Sequence, residues 1–191
     1  MPLSDSDFNE HIAPVLCDGS ELNPQEFKHL AGWNYILMQV AMADHYLKHL
    51  RAHERLSDPT DDIFQLNAWF VAFLVTYGKC FASTGSKIVK LEGRDVFRSD
   101  SSALKTHERI MHLRNTYAAH SGESGIVRSS NVVKDEGTHI TVKHLLTLAT
   151  PTNEFADFAH ALDVLDAHVV GRMNAQLDKL QTKLGKPILI E

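Results

Sequence analysis

The sequence predicts a mainly all-α protein: an antiparallel bundle of four long helices, with a β-hairpin between the third and the last. Three observations carry this expectation. Apolar residues recur at spacings of three and four along four long stretches, those stretches begin at residues suited to helix N-caps, and only residues 126–148 change to an alternation of two. Four helical stretches joined by short connections make an antiparallel bundle the simplest topology, with the hairpin as an appendage.

At 191 residues, with 43% hydrophobic and 23% charged residues, the chain has the size and composition of one ordinary globular domain. The organisation read from it is a single helical domain over 1–191, with an N-terminal arm at 1–22 and a hairpin insertion at 125–148. The arm contains Pro2, Pro14 and Gly19 and has room for one short helix near Asp7 to Val15. No membrane span is expected, because the most apolar run, Ala68 to Val75, is far short of the roughly 20 residues a bilayer requires. The first residues are acidic and lack the basic-then-apolar order of a signal peptide, and Cys17 and Cys80 show no paired or metal-type spacing. Both features point to a cytoplasmic protein, with Cys80 as a buried thiol.

The elements follow in order. Asn23, Pro24 and Glu26 suit an N-cap, a first helical position and a capping box, and the helix they start can run to about Glu54. Its face is Leu30, Trp33, Leu37, Val40, Leu47 and Leu50, broadened by Phe27, Ile36, Met38 and Tyr46. Ser57-Asp58-Pro59 ends this segment and caps the next helix. That helix carries Ile63, Leu66, Phe70, Phe73, Leu74, Tyr77 and Phe81 and is apolar enough around its circumference to be central. A short amphipathic piece, Lys87 to Leu91, lies between Ser83-Thr84-Gly85-Ser86 and Glu92-Gly93-Arg94-Asp95 in a loop over the end of the bundle. The Ser99-Asp100-Ser101-Ser102 run caps the third helix, whose inward stripe is Ala103, Ile110, Leu113 and Tyr117, widened by Leu104, Met111 and Ala118. Strands at Ile126 to Val133 and His139 to Leu148 flank a turn at Lys134 to Gly137. Pro151 to Glu154 then starts the last helix, with Phe155, Phe158, Leu162, Leu165, Val169, Met173, Leu177, Leu180 and Leu184 at helical spacing and Gly185-Lys186-Pro187 as its stop.

The chemistry-bearing stretch is Arg114-Asn115-Thr116-Tyr117-Ala118-Ala119-His120, followed by Ser121-Gly122. Arg114 supplies a permanent planar cation suited to phosphate oxygens, and His120 is a side chain able to move a proton near neutrality. In a straight α-helix, side chains six apart point about 120° away from each other, so the two share a face only if the helix ends or bends near Ala118 to His120. Net charge is −5, but it is unevenly spread: residues 1–86 carry 5 basic and 11 acidic groups, whereas residues 87–128 carry 8 and 5. The segment that holds the motif is therefore the basic one, as a local contact with a phosphate backbone requires.

This stretch resembles the HEPN superfamily, whose signature is an Arg, a spacer of about four to six residues and a His, commonly with a polar residue directly after the Arg. Asn115 stands in that polar position. The resemblance covers about ten residues in sequence and most of 24–184 in architecture. It implies a metal-independent endoribonuclease that cuts RNA by internal attack of the 2′-hydroxyl, in a defence or toxin role, working without a cofactor. His120 would move the proton, Arg114 would hold the scissile phosphate, and Asn115 would orient His120 or a phosphate oxygen. The resemblance also implies a homodimer with RNA as partner and an antitoxin protein as a possible second partner. One position departs from the pattern. Where the subgroup paired with a nucleotidyltransferase antitoxin commonly has a Tyr two residues after the His, this chain has Gly122. The resemblance is accordingly closer to abortive-infection-like HEPN proteins. A non-catalytic HEPN-like bundle that dimerises or binds a partner is the alternative reading.

A metal site is the other rival. His45, His49 and His53 form a row on the first helix, and the first two have the spacing of neighbouring imidazoles that chelate a transition ion; three in-line His span about 12 Å and cannot all reach one ion, so the reading preferred is a solvated polar face. Asp157 and His160 have the carboxylate-x-x-His spacing of di-iron bundles without a second copy of that motif.

Overall fold

The computed structural model describes Glu10, Ala13 and residues 27–54, 56–82, 89–118, 127–148 and 150–188, and the account of the fold is confined to these. Glu10 and Ala13 are helical and exposed; the rest of the arm, the Asn23 to Glu26 start signal, Cys17 and the 119–126 segment lie outside the described residues. The elements are α1 (Lys28–Arg51), α2 (Pro59–Phe81), a one-turn α3 (Gly93–Val96), α4 (Ser101–Leu113) continued by a π-helical turn (Arg114–Ala118), strands β1 (Val127–Asp135) and β2 (Ile140–Leu148), a 3-10 turn (Thr152–Glu154) and α5 (Phe155–Leu184). The protein is thus mainly helical, with one two-stranded antiparallel hairpin. Among the described residues no helix is long and apolar enough to cross a membrane.

The helix starts follow the local chemistry of the chain. Asp58 accepts hydrogen bonds from the backbone N–H groups of Thr60 and Asp61, and Pro59 occupies the first turn of α2, where a missing N–H costs nothing. Asp100 does the same for α4 through the N–H groups of Ser102 and Ala103. Those bonds, with a further one from His160, hold the Asp100 carboxyl below the usual carboxylate range. Gly185 ends α5 in the left-handed conformation, at a φ of 65° that a glycine adopts without strain.

Contacts between side chains fix how the helices run. His49 stacks on Trp69 and His53 reaches Asp62, so α1 and α2 run in opposite directions. Leu30 clusters with Leu177 and Leu180 while Arg172 lies over Trp33, which sets α1 opposite to α5. Asp100 meets His160 and Arg109 meets Glu154, so α4 also opposes α5. Phe70 and Phe73 of α2 pack on Phe155 and Phe158 of α5 through the centre. The core they form, with Leu47, Leu74, Tyr77, Phe97, Ile110, Leu165 and Val169, is closed to solvent.

Several side chains sit differently from the sequence expectation. On α1 the buried line is Trp33, Ile36, Val40, Ala43, Leu47 and Leu50, with Leu37 only partly buried and Met38 56% exposed, because α1 touches only α2 and α5 extensively and its third side meets water. Ile63 and Phe64 are exposed near the start of α2. The α4 stripe includes His107, a residue whose polarity hides it from a hydrophobic pattern. Glu92 to Asp95, read as loop, contains the start of α3, and Val89 to Leu91 has no regular secondary structure although Val89 and Leu91 are buried. The hairpin turn is Glu136 to His139, closed by the Glu136 N–H donating to the His139 carbonyl, with Gly137 at a φ of 83°. Val133 and Val142 face each other across the ladder and, with Ile140, stay at least half exposed.

Candidate functional site

Arg114 lies where α4 changes its winding. Thr116 donates its hydroxyl to the His112 carbonyl at 2.8 Å, occupying the acceptor that a regular helix offers to the backbone of residue 116. Asn-Thr-Tyr are poor helix formers, and the backbone N–H of Arg114 is already shared between the carbonyls of Ile110 and Met111. The turn from Arg114 to Ala118 widens to π geometry, a form that recurs at functional sites. The departure from regular helix thus begins at Arg114 itself, a turn earlier than the Ala118 to His120 bend the sequence calls for.

Two neighbours set the position of the Arg114 side chain. Its aliphatic stem crosses α2 at Gly78, where an added Cβ would stand 3.2 Å from both Cγ and Nε of Arg114 and 3.4 Å from its Cδ. A side chain there would press on the arginine stem and make it shift by a few tenths of an ångström. At the other end, Nη1 donates to the Asn115 carboxamide oxygen at 2.9 Å. A guanidinium has five N–H donors in a fixed fork, so this bond steadies its plane and leaves donors for a phosphate. The Arg109 to Glu154 pair, bidentate at 3.0 and 3.1 Å, ties α4 to the start of α5 one turn before Arg114. The motif therefore sits at the end of the helices from which the hairpin departs.

Of the three sequence-predicted site residues, Arg114 and Asn115 are brought together in direct contact, and His120 lies outside the described residues, as do Ala119, Ser121 and Gly122. Tyr117 and Ala118 belong to the π turn, and their side chains are outside the description. Gly78 is the member of the site that sequence reasoning missed. Its signal was a glycine inside a long apolar helix, a placement that costs about 1 kcal/mol relative to Ala and so asks for a reason.

A polar group buried behind the site has a structural explanation. His107 is packed among Phe81, Phe97 and Tyr77, its Nδ1 hydrogen-bonded to the Tyr77 hydroxyl at 3.0 Å and its Nε2 facing Gly93. Burial holds its pKa below the ordinary histidine value, so it is neutral at pH 7, and burial likewise pushes the Tyr77 phenol well up. Cys80 is a buried thiol whose Sγ lies 3.8 Å from the Thr76 carbonyl.

The rival histidines are spread over separate contacts. The His45 and His49 rings are 4.4 Å apart, His49 is stacked on Trp69, and the His53 ring donates to Asp62 at 2.7 Å. The row is an α1–α2 contact and not merely a solvated face. His160 donates to Asp100 at 2.7 Å, which gives it a role at the α4 cap. Among the described residues no cluster of three or more His, Cys, Asp or Glu is placed to hold a metal ion.

No protein-family model, no curated protein and no solved structure matches the chain.

Proposed function

We propose that this protein is a metal-independent endoribonuclease of HEPN type, built as an antiparallel bundle of four long helices, acting in the cytoplasm in a defence or toxin role. The observation that carries the reading is the Arg114 guanidinium, backed by Gly78 and steadied by Asn115 on a π turn that opens the Arg-x5-His stretch. In the proposed reaction the 2′-hydroxyl of a ribose attacks the adjacent phosphorus, the bond from phosphorus to the 5′-oxygen breaks, and the products are a 2′,3′-cyclic phosphate and a 5′-hydroxyl. His120 takes the 2′ proton or delivers one to the departing 5′-oxygen. Arg114 holds the non-bridging oxygens and offsets the charge that develops on them. Asn115, in contact with Arg114, fixes that cation through its amide oxygen and keeps its amide N–H groups to orient His120 or a phosphate oxygen.

Two protomers facing each other across a two-fold axis would supply a base, an acid and two cations to one phosphate, and would double the local positive charge in a chain of net charge −5. A homodimer is accordingly part of the reading, with RNA as substrate and an antitoxin protein as the possible restraint. Incubation of purified protein with RNA in a chelator, with end-group analysis of the products, tests it.

One observation favours the non-catalytic, partner-binding alternative. Val133, Ile140 and Val142 share one face of the hairpin and are 63%, 64% and 50% exposed, an apolar surface on an element that packs little on the helices. Sizing the protein by light scattering, with and without Val133→Lys, tells whether that face holds an assembly together.

A further inference from the structure

A cavity of about 550 Å³ opens between the start of α1, the Val89 to Arg98 segment and the middle of α5. Its size is that of small-molecule sites. Arg109 and Glu154 hold the Arg114 end of the molecule together, and Arg172 lies 18 residues further along α5, about 27 Å at the rise of an α-helix. None of the residues that line the cavity belongs to the proposed nuclease site.

Its wall is apolar at the base, where Trp33, Val89, Leu91 and Val96 are buried, and cationic at the rim. Lys90, Arg98, Arg172 and Lys179 line it from two segments that are far apart in the chain. Arg172 and Lys179 are seven residues apart on α5 and so share a face. Of the carboxylates lining the cavity, Glu92 is paired with Lys90 at 2.5 Å, and Asp95 lies near enough to His168 to act on its charge. Among the described residues no carboxylate stands within ion-pair distance of Arg98, Arg172 or Lys179, although the chain as a whole is acidic. The Arg172 guanidinium is instead placed 5.7 Å from the centre of the Trp33 ring, a contact that leaves its charge unneutralised. His168 adds to the picture: burial first, then the charge of Arg172 and in part that of Arg98, outweigh Asp95 and lower its pKa, which places both guanidinium groups close to its ring.

Three cations without carboxylate partners among the described residues, held in one concave site, fit a compact ligand with several negative charges and several non-bridging oxygens. We propose that this cavity is a binding site for a small oligophosphate anion, seated on Arg98, Arg172 and Lys179. The anion's chemistry is common to inorganic oligophosphate and to the phosphate chain of a nucleotide. The apolar base beneath the rim has room for the organic part of the second.

Isothermal titration calorimetry of the full chain with tripolyphosphate, ATP and adenosine tests the assignment. Tripolyphosphate and ATP are expected to bind, adenosine is not, and affinity should fall with added salt because the cations are exposed. Tighter binding of ATP than of tripolyphosphate would mark the nucleotide as the source, and the reverse would mark the inorganic chain. Arg98→Glu and Lys179→Glu, both at exposed positions that folding does not depend on, should each weaken binding at least tenfold. Arg114→Ala should bind as the parent chain does, which separates this site from the nuclease proposal. Absence of binding by both phosphates at millimolar concentration, or affinity unchanged in both charge reversals, would overturn it.

Discussion

The side chain of Arg114 passes over Gly78 so closely that a Cβ on that glycine would stand 3.2 Å from the arginine Cγ and Nε. A contact at that distance is tight enough that the arginine must move by a few tenths of an ångström for alanine and further for a branched side chain. Gly78→Val is therefore expected to displace the guanidinium and lower kcat for RNA cleavage at least tenfold, with Gly78→Ala intermediate. Alanine also raises helix propensity by about 1 kcal/mol, so its thermal stability should hold or rise while activity falls. Activity of Gly78→Val equal to that of the parent chain would show that the Arg114 position does not matter to the reaction.

Stability and activity should separate along α4. Leu113 is buried and Arg114 beside it is only partly so. Leu113→Ala is expected to cost about 2 to 5 kcal/mol and to lower the melting temperature by several degrees. Arg114→Ala should abolish cleavage with little loss of stability. Chemical denaturation of both variants beside a cleavage assay makes the comparison, and unfolding of Arg114→Ala would assign that side chain to the fold instead.

The buried His107 predicts a pH dependence of stability. Its folded pKa is lowered by burial, so as the pH falls the unfolded chain takes up a proton first. The stability it contributes is complete above the unfolded histidine pKa of about 6.5 and is lost as the pH drops through that value toward the folded one. His168 is shifted the same way, whereas the lowered Asp58 and Asp100 carboxyls act in a separate and more acidic window. Melting temperature should accordingly fall between pH 7 and 5, and His107→Gln should reduce the slope while destabilising the protein at pH 7. A slope identical in the variant would contradict the assignment.

The dimer reading predicts complementation. Arg114→Ala and His120→Ala protomers are each expected to be inactive, and mixing them under conditions that allow exchange should restore part of the activity, since one site can then take its His and its Arg from different chains. A monomer that cleaves at full rate at nanomolar concentration would exclude this arrangement.

How much of this could be read from the chain depends on the range of the interaction. The Asp58-Pro59 and Asp100 caps act within three residues and are legible as they stand, as are the Phe70, Phe73, Leu74 and Tyr77 stripe and the alternation of the hairpin. His107 was not, because a buried histidine is explained only by its distant partner Tyr77. The winding change at Arg114 depends on a hydroxyl from Thr116 finding the His112 carbonyl, a competition that propensities leave undecided. Gly78 and the oligophosphate cavity were hidden for one reason: each joins residues dozens of positions apart, Gly78 with Arg114 and Trp33 with Arg98 and Arg172, and only the packing of the helices brings them together.

The central claim, that Arg114 serves phosphoryl chemistry on RNA, is tested most directly by incubating the purified parent chain and Arg114→Ala with single-stranded RNA in excess chelator and identifying the product ends. The account predicts cleavage by the parent chain, with 2′,3′-cyclic phosphate and 5′-hydroxyl ends, and a loss of at least a hundredfold in rate for Arg114→Ala. Intact RNA with the parent chain, or equal cleavage by the two proteins, would contradict it.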